Sequence, residues 1–279
     1  MFGTILIAIG TFFEEISDSI GKVKVTNHEE SKFTMAFLTL FWGAILFALI
    51  SIFKHDAFIF KLASLPTFFV RVIFELIQMY TAILAIVVAD RSTFSFGRTL
   101  TIPLLLIVDA VLGYKIGILP IAGIAIIMIT LLILFSKKSK KQSGIGWVII
   151  SAIGAVGTIS LFKYDITHYN SIVAEQLIMT LILLLFSIFF AFVKAKENPF
   201  KFLKKPIFFF QSLSTGLGGI IVSFSYNYGA ASIITAAKRG CSILWALLSG
   251  KIYFKEKNII LKIAIFILLL TGLALLTIN

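Results

Sequence analysis

The sequence predicts an all-α integral membrane protein: ten transmembrane helices arranged as two inverted five-helix repeats. Three observations carry that reading. Of 279 residues, 59% are hydrophobic and 14% charged, with mean hydropathy +1.05, whereas a soluble domain is about half apolar and about a quarter charged. The apolar residues form ten runs of the length that crosses a hydrocarbon core, about 20 residues each. Lysines cluster in the short segments between runs, as cytoplasmic loops require.

The runs are roughly 2–22, 33–53, 66–88, 92–113, 116–135, 144–162, 171–193, 207–228, 230–250 and 258–278. The clearest breaks are Ser136–Gly146 and Lys194–Pro206. The first divides the chain into a repeat over 1–135, a basic linker over 136–146 and a second repeat over 147–279. At an ungapped offset of 141, Lys22 meets Lys163, Arg98 meets Arg239, and Gly113–Tyr114–Lys115 meets Phe254–Lys255–Glu256. A repeat of odd helix number places its copies in opposite orientations, the plan of secondary transporters. Connections after odd-numbered runs hold 15 of the 25 Lys and Arg, against four after even-numbered runs. That bias puts both termini outside.

Net charge is +12. Nucleic acid is excluded as a partner, because the lysines lie in separate clusters and not on a continuous basic face with aromatics. Cys241 is the single cysteine, so no intrachain disulfide forms. The N-terminal run lacks a basic leader and contains carboxylates, unlike a cleaved signal peptide.

Charges inside the runs mark the candidate site, since a charge at membrane depth needs protein, water or a partner. In run 1, Thr11, Glu15, Asp18 and Lys22 share a face. With Glu14, these acids read as a proton-coupling or cation site, or as residues at headgroup depth. In run 3, Arg71, Glu75 and Gln78 share a face. Arg71 pairs with Glu75 or snorkels to the interface, and Glu75 faces a cavity. In run 4, Arg98 lines water, Asp109 lies near the end, and Pro103 between them kinks the helix.

Glu175 and Gln176 start run 7, either as interfacial residues or as part of a site. The small residues Ser214–Gly219 of run 8 serve close packing first. Its end, Tyr226–Asn227, reads as pocket lining or as an interfacial aromatic belt. Run 9 is the most specific. Thr235, Arg239, Ser242, Ala246 and Ser249 fall on one small polar face, opposite Ile234, Cys241, Leu244 and Leu248. Arg239 therefore turns inward with Lys238 beside it. A guanidinium fork with a lysine point charge suits phosphate or carboxylate. The competing reading is a salt bridge to Glu75, Glu15 or Asp18. Runs 5 and 10, uncharged apart from Lys262, read as peripheral or packing helices. His28, His55 and His168 have no metal-ligand spacing. No HExxH, GxSxG or Walker loop occurs, so the reading includes no enzyme activity, cofactor or metal.

Two segments, Tyr80–Gly113 with Pro103 and Tyr226–Glu256 ending in Phe254–Lys255–Glu256, resemble the drug/metabolite transporter superfamily, specifically EamA-like ten-helix permeases. The first copy departs from the pattern with Lys115 where Glu is expected. The resemblance implies a central cavity lined by helices 1–4 and 6–9, alternating access for small organic solutes, and both termini in the cytoplasm. That last implication opposes the charge bias. Lys238–Arg239 are also similar in type and place to the pair that holds a substrate phosphate in the triose-phosphate branch.

The expected function is secondary active transport of a small polar, anionic or zwitterionic metabolite. Lys238, Arg239, Arg98, Glu75, Gln78, Tyr226 and Asn227 are the expected substrate contacts. Glu15, Asp18 and Glu14 are the expected proton-coupling acids. The chain is expected to sit in the plasma (inner) membrane as a multi-pass protein. Its expected partners are a small-molecule metabolite and the lipid bilayer, with homodimer formation left open. The alternatives are an exporter of organic cations or amines, with the acids as its site, and a non-transporting membrane scaffold.

Overall fold

The computed structural model describes residues 2–54, 57–111, 117–136, 144–228, 231–257 and 259–277. Most of the basic linker, Gly113–Lys115 and His55 lie outside the described residues. Within them, all regular structure is helical. The helices are α1 (Phe2–Thr26), α2 (Lys32–Phe53), α3 (Leu65–Val88), α4 (Arg91–Arg98), α5 (Thr101–Val111) and α6 (Ile118–Ser136). There follow α7 (Ile145–His168), α8 (Ile172–Phe190), the short α9 (Pro199–Phe202), α10 (Pro206–Ser225), α11 (Ala231–Ile252) and α12 (Ile259–Thr277).

Five segments are long and apolar enough to cross a membrane: Lys32–Phe53, Leu62–Val88, Ile145–His168, Ile172–Ala195 and Pro206–Tyr228. Large apolar side chains on their outer surface, such as Phe53, Phe69 and Leu185, stay exposed. That suits solvation by lipid. The fold is thus that of an α-helical, multi-pass membrane protein.

Helix starts follow local chemistry. Ser31 caps α2 by accepting from the Thr34 amide, and Ser171 caps α8 by accepting from the Ala174 amide. Pro66 and Pro206 occupy first-turn positions, where no backbone donor is needed. Gly144 precedes α7 with φ +85° and lies against the Ala89 backbone, a place and conformation that suit only glycine.

The main packing pairs are α1 with α10 and α11, α3 with α7, α2 with α8 and α10, and α6 with α12. Close approaches rest on small residues. A Cβ on Gly218 would come within 2.7 Å of the Gly10 carbonyl, and one on Gly216 within 2.8 Å of Trp42. The small patch of run 8 therefore serves packing. The α6–α12 pair contributes apolar residues to one core cluster, yet Lys262 on α12 is buried and not peripheral.

Run 4 is not one kinked helix but two helices. Pro103 has no N–H, and its ring clashes with the carbonyl four residues earlier. That carbonyl belongs to Thr99, which accepts from the Ile102 amide instead. Thr99 Oγ1 donates to the Phe96 carbonyl (2.6 Å) and Thr101 Oγ1 to the Arg98 carbonyl (2.8 Å), so the hydroxyls satisfy groups near the break. All eight residues of α4 are buried.

The two ends of the bundle differ in charge. One end gathers the α1–α2, α3–α4, α8–α10 and α11–α12 connections. Its cross-links include the Ser31 amide donating to Glu197 and the Ser92 hydroxyl donating to Glu256. This end carries most of the loop lysines. At the opposite end, the start of α3 meets the end of α7 and the start of α8. There the Lys61 amide donates to Asn170.

Candidate functional site

α1, α2, α3, α7, α8, α10 and α11 surround a cavity of about 250 Å³. A smaller one, about 160 Å³, lies between α1, α3, α4 and α11. Glu14, Arg98, Lys238 and Arg239 border both. The first volume is below the roughly 300–1,000 Å³ of pockets for drug-sized ligands, so it suits a smaller solute.

Three cations near these cavities are matched by carboxylates. Lys238 Nζ lies 2.9 Å from Glu14 Oε1. Arg91 grips Glu15 with two donors, Nε at 3.1 Å and Nη2 at 2.6 Å, and Nη2 also reaches Asp18 at 3.0 Å. Ser249 and Ser19 donate to the same Glu15 oxygen. Arg71 Nη1 lies 2.7 Å from Glu175, and its Nη2 lies 3.3 Å from Glu75 and 3.4 Å from Gln176 Oε1. Arg71 is 2% exposed, so it does not snorkel.

Arg98 and Arg239 are different. Arg98 Nη1 donates to Ser151 Oγ (2.7 Å), its Nε has no partner, and its guanidinium lies 5.7 Å from the Phe94 ring centre. Arg239 Nε donates to Thr101 Oγ1 (3.1 Å), which ties it to the α4–α5 break. Both are more than nine-tenths buried. Among the described residues neither has a carboxylate within salt-bridge distance. The expected alternative for Arg239, an ion pair with Glu75, Glu15 or Asp18, is absent.

The structure brings most of the predicted contacts together. Glu75, Gln78, Tyr226, Lys238, Arg239 and Arg98 line the larger cavity. Gln78 accepts from Thr158 (2.7 Å), and the Tyr226 hydroxyl meets Thr235 (3.1 Å). Asn227 is exposed and borders neither cavity. Glu15 and Asp18 border the smaller cavity, and Glu14 borders both. The polar face of α11 is buried at Thr235, Arg239, Ala246 and Ser249. On the opposite face Leu244 and Leu248 are exposed, but Ile234 is buried.

Sequence reasoning missed Arg91, which reads as a loop charge beside Asp90. The signal was the unmatched pair Glu15 and Asp18, whose shared face required a cation. It also left Glu175 undecided and passed over Asp165. Both are completely buried. No family model matches the chain, and no curated protein matches it.

Proposed function

We propose that the chain is a secondary transporter of a small anionic or zwitterionic metabolite. It works by alternating access in the plasma membrane, through ten membrane helices in two inverted five-helix repeats. One observation carries the substrate class: Arg98 and Arg239 are buried beside the cavities with no carboxylate partner among the described residues. A buried charge left uncompensated is costly. A carboxylate or phosphate on a substrate removes that cost and accepts from forked guanidinium donors. The acids that a cation exporter would use, Glu14, Glu15, Asp18 and Glu75, already contact cations. Glu14 and Glu75 still border the larger cavity, which leaves room for an ammonium group as well.

Two features favour the repeat. Lys22 donates to the carbonyl of Ala89, the residue that caps the C-terminus of α3. Lys163, 141 positions later, donates to the carbonyl of Tyr226, which caps α10. Aligned lysines thus satisfy corresponding helix ends. The packing also maps onto itself when the halves are exchanged: α1–α10 becomes α7–α3, while α2–α8 and α6–α12 each return to themselves. Two pairs depart from this exchange: α2–α10 packs more extensively than its counterpart α8–α3, and α11–α12 more than α5–α6 among the described residues. Such unequal closure of equivalent contacts is what alternating access requires. The resemblance to EamA-like permeases points the same way.

The test combines binding and flux. Thermal stability of purified protein is measured against phosphorylated sugars, organic acids, amino acids and amines. A ligand at a hundred times its Kd adds about 2.7 kcal/mol. Stabilisation by anions or zwitterions is expected, and Arg239→Ala or Arg98→Ala should reduce liposome flux at least about tenfold, the equivalent of about 1.4 kcal/mol. Stabilisation by amines alone would overturn the substrate class. Absence of flux for every stabilising ligand would favour a scaffold.

A further inference from the structure

A groove of about 600 Å³ lies over α1, between the start of α10 and the last two turns of α11. On α1 it runs from Phe12 through Ile16 and Ile20 to Lys24, a stripe at helical spacing. At 1.5 Å per residue the stripe is about 18 Å long. One leaflet of a bilayer's hydrocarbon core is about 15 Å deep. Phe12 and Trp245 mark the deep end, their rings edge to face with centres 5.0 Å apart. The other end opens at Lys24, Ile207 and Tyr253, beside the lysine-rich connections.

The floor makes no polar demand. Glu15, Ser19 and Ser249 border the groove. Both hydroxyls donate to Glu15 Oε1, and Arg91 donates to both of its carboxylate oxygens. The Trp245 indole N–H donates to the Ala8 carbonyl (3.1 Å). Apart from Lys24 and the Tyr253 hydroxyl, the rest of the lining is hydrocarbon or aromatic, and Phe210, Leu248 and Ile252 stay exposed. A polar occupant would lose its hydrogen bonds on such a surface, whereas a hydrocarbon chain has none to lose.

The mouth is cationic. Lys24 Nζ and Lys205 Nζ lie 5.9 and 5.8 Å from the centre of the same Phe208 ring, so the two lysines stand together. Glu29 lies 2.7 Å from Lys24, with 43% of its side chain exposed. An ion pair so open to solvent is weak, and Lys24 can exchange it for another anion.

We infer that the groove holds one acyl chain of an anionic phospholipid, taken from the leaflet at the lysine-rich end, with the lipid phosphate at Lys24 and Lys205. Three independent features agree: a floor that suits only hydrocarbon, a length of one leaflet, and positive charge at the open end alone. Glu15 borders both this groove and the smaller cavity. Lipid and cavity therefore share a wall, the α1–α11 seam that Ser249 and Glu15 join. A dependence of solute flux on anionic lipid rests on the transporter reading. The lipid site does not.

Native mass spectrometry of the detergent-purified protein tests the site without transport, with dioleoyl phosphatidylglycerol or dioleoyl phosphatidylcholine added. One phosphatidylglycerol per chain should be retained in preference to phosphatidylcholine. Lys24→Gln and Lys205→Gln should each weaken retention about fivefold, the usual effect of one lysine near an anionic lipid surface. Lys201→Gln, exposed on α9 at the same end, should leave retention unchanged. An equal loss there would reduce the effect to diffuse attraction and overturn the site. Leu248→Trp, at an exposed position of α11, fills the groove and should abolish retention; the lysine variants test the site even if this one fails to fold. Equal retention of both lipids would overturn the anionic headgroup, and retention that survives in folded Leu248→Trp would overturn the groove. A dimer that Leu248→Trp dissociates would assign the groove to a second copy instead. Millimolar glycerol 3-phosphate, a headgroup without chains, should not displace the lipid; displacement would make a soluble anion the occupant. In liposomes, flux should rise when phosphatidylglycerol is included. If the wild type carries no flux while lipid is retained, the transporter reading fails and the lipid site stands. If flux occurs with no lipid preference, only the lipid site fails.

Discussion

Glu30 is 3% exposed in the α1–α2 connection. Its Oε1 accepts from Gln211 Nε2 at 3.3 Å, while Glu30 Oε2 and Gln211 Oε1 both lack partners. Burial pushes the carboxyl up to about 8, the Gln211 hydrogen bond opposes this, and the nearby Glu197 charge adds to it. A neutral Glu30 turns Oε2 into a donor and matches it to the open amide oxygen. The folded value lies above the ordinary carboxylate value of 4.5, so the unfolded chain releases this proton first. Stability from this group is therefore full below about 4.5 and is lost as pH rises to about 8. Glu30→Gln should raise the melting temperature at pH 8 by several degrees and change it little at pH 5. An equal shift at both values would mean that Glu30 is not neutral in the folded protein.

α10 offers a controlled comparison at the scale of one helix. A Cβ at Gly216 would meet the backbone of Trp42 and Gly43 at 2.8–2.9 Å, whereas one at Gly219 has nothing within 4 Å. Gly216→Ala should cost about 1–3 kcal/mol, the usual penalty of overpacking. Gly219→Ala should be neutral or stabilise by up to about 1 kcal/mol through helix propensity. Denaturation in detergent separates them, and equal effects would show that the α2–α10 contact is not tight. The α4–α5 break is the other element with a single cause. It depends on Pro103, and it positions Thr101 to receive Arg239.

Across the whole molecule, the connections that share the Ser31–Glu197 and Ser92–Glu256 contacts lie at one end, together with most loop lysines. The positive-inside rule predicts that this end faces the cytoplasm. Lys201→Cys, at an exposed position of α9, in a Cys241→Ser background, should react with a membrane-impermeant maleimide only after cells are permeabilised. Labelling of intact cells would put the basic end outside. The same view explains why the acids do not destabilise the bundle. Arg91 and Arg71 each sit between two carboxylates toward opposite ends, and the two unmatched arginines border both cavities.

Chain-local information was enough for the all-helical class and the approximate helix boundaries, because apolar run length answers directly to hydrocarbon thickness. It was also enough for the inward face of α11, since a period of 3.6 aligns Thr235, Arg239, Ala246 and Ser249 without knowledge of any neighbour. Pro103 announced a disturbance for the same local reason, though not that the helix would divide. Which charges are matched emerged only from the folded arrangement. Arg91 meets Glu15 across 76 positions and Arg71 meets Glu175 across 104, and no local pattern ranks such partners. Folding also turned Asn227 outward and buried Asp165 and Glu175. Ion pairing depends on distances of a few ångströms between distant segments, whereas periodicity specifies only the direction in which a side chain leaves its own helix.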